Sequence, residues 1–183
     1  MTDGGSAASV LVTGAGGYLG SETIKELANR RGQFASIVAV DVRDTPHDRR
    51  CEGVVYVTHD VRGSGIESVL RDHHVDTVVH LASIVTPGKK SNRAFEYSVD
   101  VLGTRNTVEC CLRAGVGHFI VTSSGAAYGY YADNPAWIGE DTPLRANDSI
   151  ANAYHKRLVE EILARRRTQH PQLRNERSEQ PPE

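Results

Sequence analysis

The segment that most constrains this chain lies near its start. The apolar, β-branched run Val10-Leu11-Val12-Thr13 passes directly into glycines at 14, 17 and 20, and then into the helical pattern Glu22 to Arg31. Strand, glycine turn and helix in immediate succession leave the backbone little choice. Glycine permits the tight turn and a close backbone approach, and the start of the helix presents unpaired N–H groups and the positive end of its dipole. Such a turn binds an anionic group, and a pyrophosphate suits it. Because position 19 is Leu, the spacing is GxxGxxG rather than the commoner GxGxxG.

Asp41 adds independent support. It ends the next apolar run, about twenty residues past the turn, where a carboxylate accepts hydrogen bonds from adenosine ribose hydroxyls. A 2′-phosphate there would be repelled. Arg43, two residues on, could attract that phosphate, so NAD is expected and NADP is disfavoured without being excluded. The competing accounts are a turn that needs only flexible backbone and an ordinary carboxylate entering a loop.

Short apolar runs recur at Ser9 to Thr13, Ile37 to Asp41, Val54 to Thr58, Thr77 to Leu81 and His118 to Ser123, which predicts five buried strands. Helical periodicity occupies Gly17 to Arg31, Ile66 to His73, Phe95 to Ala114 and Asn152 to Gln169. Alternation of the two kinds predicts an α/β fold, a Rossmann-type doubly wound parallel sheet with helices on both faces. Ser83 to Asn92 and Gly125 to Ser149 lack periodicity and read as loops, where such sheets bind ligands. Residues 1–173 are expected to form the dinucleotide domain. Arg174 to Glu183 carries no apolar residue large enough to pack, and the expectation is a disordered tail.

Composition narrows the function classes. A net charge of −2 without a basic stripe gives no field for nucleic acid. No apolar run approaches the length of a membrane span and the first residues do not resemble a leader, so a cytoplasmic location without membrane partners is expected. The three cysteines, two of them the neighbours Cys110 and Cys111, fit neither a disulfide framework nor a zinc spacing and read as small hydrophobes. No metal is expected.

With further motifs, these residues resemble the extended short-chain dehydrogenase/reductase family, the NAD-dependent epimerase/dehydratase group that acts largely on nucleotide sugars. The likeness runs from about Val10 to Leu173. Thr13 to Gly20, TGAGGYLG, is similar to the family's glycine motif, implying cofactor contacts at Gly14, Gly17, Tyr18, Leu19 and Gly20. Asp60-Val61-Arg62 resembles its acidic turn, in which the carboxylate meets the adenine amino group and the next amide meets the ring; a plain Asx turn is the alternative. His80-Leu81-Ala82-Ser83 resembles the segment whose backbone lies against the nicotinamide-side ribose and pyrophosphate, which makes Leu81 and Ala82 cofactor wall. Val99 to Asn106 resembles NVxGTxN, with Asp100 where Asn is usual. Ser124, in a stretch similar to SSxxxYG, matches the catalytic hydroxyl that bonds the substrate oxygen.

The family's base is a Tyr with a Lys four residues later, and this chain has no YxxxK. Asn152 with Lys156 keeps the spacing without the phenol, and Tyr154 with Leu158 keeps the phenol without the lysine. At about 100° per residue, Leu158, Val159, Ile162 and Leu163 form the buried stripe; Asn152 and Lys156 flank it and Tyr154 points away. Lys156 is therefore the expected catalytic and ribose-binding lysine, and Asn152 stands in the place of the base. The family's sixth strand and substrate lobe are not recognisable after Leu173, which predicts a C-terminally incomplete domain arising from a fragment, a premature stop or a frame change. The resemblance implies an NAD-dependent epimerase or dehydratase acting by hydride transfer, with a nucleotide sugar as substrate and a homodimer through the helices Phe95 to Ala114 and Asn152 to Gln169. The alternative is an NAD-binding module without turnover.

Overall fold

The structure, a computed structural model, describes residues 7–84 and 92–180, with the backbone alone for 175–180. Six parallel strands form one sheet: β1 (Ala8–Thr13), β2 (Phe34–Asp41), β3 (Val55–Thr58), β4 (Thr77–His80), β5 (His118–Ser124) and β6 (Arg174–Gln180), in the order β3-β2-β1-β4-β5-β6. Strand order reverses between β1 and β4. Successive strands lead away from each other there, which opens a crevice at their C-terminal ends.

Alternation of side chains along the strands builds two cores. Val10, Val12, Ile37 and Ala39 face α1 (Tyr18–Asn29), whose Ile24 is buried among them. Leu11, Val38, Val40, Val78 and Phe119 face the other way. There they meet Ile66 and Leu70 of α2 (Ile66–Asp72), Val108 and the two neighbouring cysteines of a later helix, and Val159 and Leu163 of a last one. Helices thus lie on both faces of a doubly wound sheet. Cys110 and Cys111 sit fully in the core as small hydrophobes, while Cys51 is half-buried.

Two expectations need correction. The continuous helix expected over Phe95 to Ala114 is three segments: α3 (Arg93–Tyr97), a π-helical turn (Ser98–Gly103) and α4 (Thr104–Ala114). Widening of the helix coincides with close packing on the loop after β3: a Cβ on Gly103 would lie 2.9 Å from Val61 Cγ2. The hydroxyls of Thr104 and Thr107 bond back to the carbonyls of Asp100 and Gly103, which satisfies groups that the wider turn releases.

The second correction concerns the polar tail. Arg174–Gln180 is a strand, paired in parallel with His118–Ser124 along its length, so the sheet does not stop at its fifth strand. A strand at the edge needs backbone partners more than apolar side chains, and polar residues there discourage further pairing. Leu173 anchors the entry by burying its side chain in the core. Residues 181–183 of the expected tail lie outside the described residues.

The last helix, α5 (Ala151–Gln169), runs from the long loop after β5 and packs on β5 and α4. Within that loop, Gly125–Tyr128 forms a short 3₁₀ turn; of the loop expected at Ser83 to Asn92, residues 85–91 lie outside the described residues. No helix among the described residues is long and apolar enough to cross a membrane.

Candidate functional site

The crevice between β1 and β4 is closed by backbone against backbone. Gly14 has φ +69°, and a Cβ there would sit 2.7 Å from the Ala82 nitrogen and 2.7 Å from the Leu81 carbonyl carbon. A Cβ on Gly20 would sit 2.1 Å from the Gly14 carbonyl oxygen, so the first turn of α1 can approach the glycine turn only without a side chain. Gly17 caps the helix without a side-chain bond, so the N–H groups of the first turn, at Tyr18, Leu19 and Gly20, precede the helical ladder and have no acceptor within the helix. The Tyr18 side chain is 82% exposed, so this residue contributes backbone there rather than packing.

Asp41 is bonded to the turn itself. Its Oδ2 accepts the Gly16 N–H at 2.9 Å and its Oδ1 accepts the Arg43 N–H at 3.1 Å. A cavity of about 290 Å³ begins beside it and is lined by Gly14, Asp60, Val61, Leu81, Ala82 and Phe95, among others. Of the expected cofactor positions, Gly14, Gly17, Asp41, Asp60, Val61, Leu81 and Ala82 therefore meet around one crevice, while Lys156 lines a separate small cavity. Beyond Asp41 lies a second, open groove of about 790 Å³ with Lys25, Arg43, Arg49 and Arg50 on its walls. Lys25 is paired with Glu22 at 2.7 Å and Arg50 with Asp44 at 2.8 Å.

Asp60 departs from the simple adenine role. Its carboxylate accepts the Arg62 N–H at 2.9 Å, as an Asx turn does, and also takes the Arg62 guanidinium at 2.6 Å. That guanidinium holds the Asp60 carboxyl below the usual carboxylate range. The turn is fixed from the other side by Asn106, whose amide donates to the carbonyls of Val61 (2.7 Å) and Gly63 (2.9 Å). Asn106 stood in the quoted GTxN segment, yet nothing in the sequence paired it with residues some 45 positions away.

His80 is structural. Its ring bridges Thr13 Oγ1 at 2.8 Å and Thr104 Oγ1 at 3.0 Å. Thr104 donates its hydroxyl hydrogen to the Asp100 carbonyl, so it must accept from His80 Nε2–H, and Nδ1 then accepts from Thr13. Thr13 Oγ1 in turn accepts the Ala82 N–H at 3.3 Å. One directed chain of hydrogen bonds thus runs from the β4 loop through β1 and β4 to the π-helical turn, and it requires a neutral ring. Burial, together with the charge of Lys156, pushes the His80 pKa down to about 3.

At the other end of the site, Ser124 Oγ accepts the Ala126 N–H at 3.2 Å and caps the 3₁₀ turn, which leaves its O–H free to donate. Ala126 packs on Ala153 of α5, and this contact brings the Ser124 turn beside the start of that helix. Lys156 is mostly buried and donates from Nζ to the Thr122 carbonyl on β5 at 2.7 Å. Burial lowers its pKa, and the carboxylates of Asp100 and Glu160 oppose that shift.

Asn152 Oδ1, one turn before Lys156, is buried without a hydrogen-bond partner among the described residues. Tyr154 lies instead between the guanidiniums of Arg93 and Arg157, 5.6 and 5.2 Å from its ring centre. The buried stripe of α5 differs from the expected one. Leu158 is only half-buried, while Ala153, His155, Val159, Glu160, Ile162 and Leu163 are buried. His155 carried no sequence signal.

Residues 10–174 match the NAD dependent epimerase/dehydratase family. The chain belongs to this family. A UDP-glucose 4-epimerase of Azospirillum brasilense is 35% identical over 149 residues, which cover 78% of this chain and 41% of that relative. One from Klebsiella pneumoniae is 32% identical over 127 residues, covering 66% of this chain and 91% of the relative. Among solved structures, MoeE5 in complex with UDP-glucuronic acid and NAD superposes with a TM-score of 0.76 at 27% identity, over 93% of this chain and 53% of that one. The UDP-glucose 4-epimerase of Brucella ovis, in complex with NAD, shares the fold with a TM-score of 0.79 at 24% identity, over 94% of this chain and 51% of that one. The chain thus spans about half the length of these structures and less than half of the Azospirillum relative.

The directed chain through His80 makes this member's stability depend on pH. The ring titrates near 6.5 when the chain is unfolded and near 3 when it is folded, so between these values the unfolded chain holds the extra proton. Stability from His80 is complete above about pH 6.5 and declines as pH falls toward 3, at up to about 1.4 kcal/mol per pH unit. In denaturant unfolding, the difference in stability between the natural chain and His80→Asn should shrink from pH 7 to pH 4. A difference that stays constant across that range would contradict the neutral ring.

Proposed function

We propose that this chain binds NAD in the crevice between β1 and β4, and that its site is built for the hydride chemistry of a nucleotide-sugar epimerase or dehydratase. The observation that carries the reading is the contact of Gly14 with the Leu81-Ala82 backbone, beside a helix start with open N–H groups and a carboxylate at the end of β2. This cradle would be filled by a single Cβ. Its residues fit a dinucleotide: the first turn of α1 takes the pyrophosphate, Asp41 the adenosine ribose, the Asp60 to Arg62 turn and Phe95 border the adenine, and Leu81 and Ala82 wall the other half.

NAD is preferred to NADP in this reading because Asp41 repels a 2′-phosphate, while two cations of the neighbouring groove are held by Glu22 and Asp44. When bound, NAD supplies a nicotinamide carbon that accepts and returns hydride. The chain's own part is to donate a hydrogen bond from Ser124 to the sugar oxygen and to place the Lys156 ammonium beside the nicotinamide ribose. The UDP-sugar names of the relatives support a nucleotide sugar as substrate. The same proposal keeps the chain in the cytoplasm. A homodimer would form through the outer faces of α4 and α5, since their inner faces already cover the sheet.

Calorimetric titration tests the binding. NAD should bind more tightly than NADP, and Asp41→Ala should weaken NAD about 10- to 150-fold, as expected for loss of about 1.5–3 kcal/mol of hydrogen bonding to a charged group. Equal affinity of the natural chain and Asp41→Ala, or a preference for NADP, would overturn the ribose assignment.

The lack of YxxxK in the sequence favours a second reading, in which NAD is held with little turnover. In this reading Asn152 stands in the place of the phenol, and its amide has no pKa suited to taking a proton from an alcohol. An NADH-fluorescence assay with UDP-sugars distinguishes the two. Asn152→Tyr should raise turnover by about 10²- to 10⁴-fold, the usual contribution of a general base. Robust turnover by the natural chain that disappears in Tyr154→Phe would instead make Tyr154 the base.

A further inference from the structure

Asp100 lies on the π-helical turn, 5% exposed, and is bonded to both sides of the candidate site. Its Oδ1 accepts the Ser83 hydroxyl at 3.0 Å and the Ile84 N–H at 2.8 Å, which fixes the backbone continuing from Leu81 and Ala82. Its Oδ2 accepts Nδ1–H of His155 at 2.9 Å, which fixes the turn of α5 that carries Lys156.

His155 is 1% exposed, its ring lies edge-on to Tyr97 at 5.7 Å, and its Nε2 is buried without a hydrogen-bond partner among the described residues. The cavity among Ser83, Asp100, Thr122, His155 and Lys156 is only about 10 Å³, too small for any ligand larger than a water. His155 is therefore not a replacement for the missing base: substrate cannot reach it, and the nitrogen that has a partner is committed to Asp100.

We propose that Asp100 and His155 are positioning residues that hold the two walls of the site, Leu81 to Ile84 and the Lys156 turn, in one register. The proposal rests on the dinucleotide reading above. A dinucleotide must touch both walls at once, whereas AMP, seated on the glycine turn, Asp41 and the Asp60 turn, needs neither of them in register. The carboxylate has a second effect that a neutral amide at position 100 could not supply, because its charge opposes the tendency of burial to strip the proton from Lys156. Three donors on one buried carboxylate offset the cost of burying it.

The test titrates the full chain with NADH, followed by its fluorescence, and measures AMP by displacement of NADH. His155→Ala should weaken NADH about fivefold or more, the size of one lost hydrogen bond to a charged group, while AMP affinity stays within about twofold of the natural chain. His155→Asn, whose amide can occupy the place of Nδ1–H, should recover most of the NADH affinity. If His155→Ala does not fold, His155→Leu carries the same test: it fills the volume of the ring, has no donor for the Asp100 carboxylate, and should lose NADH affinity selectively. An equal loss for NADH and AMP, no loss for either, or failure of Asn to restore binding would each overturn the proposal. Absence of NADH and AMP binding by the natural chain would overturn the dinucleotide reading itself, and is seen without any variant.

Discussion

Everything in the candidate site depends on how closely the ends of β1 and β4 approach each other. Gly14 and the Leu81-Ala82 backbone stand where a single methyl group would force them apart. Hydrogen bonds pull them together, since Leu81 N–H donates to the Thr13 carbonyl and Ala82 N–H to the Thr13 hydroxyl. The glycine removes a steric obstacle, and the polar bridge through Thr13 and His80 uses the space. With that closure in place the start of α1, Asp41 and the Asp60 turn converge on one crevice without further adjustment.

The second half of the site is organised by buried charge. Lys156 is drawn to the Thr122 carbonyl and Asp100 to three donors, so each charged group is held by hydrogen bonds that a less polar interior would not supply. The cost of burying them is tolerated because both ends of the network are tied to strand ends and helix turns that the hydrophobic cores already fix. Asn152 is the exception. Its carbonyl is buried beside this network and joins none of it among the described residues.

How legible this was from sequence follows from the range of the interactions. The glycine turn, Asp41 and the β-branched strands are local patterns with a local physical cause, and the fold and the first half of the site follow from them. The helix α5 was readable too, because its apolar residues Val159, Ile162 and Leu163 recur with helical spacing and are buried. The sixth strand was not legible: Arg174 to Gln180 has no apolar pattern, and only the free edge of β5 gives it a reason to be extended. The π-helical turn and the pairing of Asp100 with His155 were equally hidden. Both arise from contacts between residues distant in sequence, and no spacing rule announces them.

The most direct test of the account is an amide-resolved NMR titration of the chain with NAD. The account predicts that the largest shifts occur at the N–H groups of Tyr18, Leu19 and Gly20, with further changes at Gly16, Ala82 and Ile84, and that the amides of α2 stay still. Saturable shifts confined to some other surface, or none at all, would show that the glycine turn of this chain does not hold a dinucleotide.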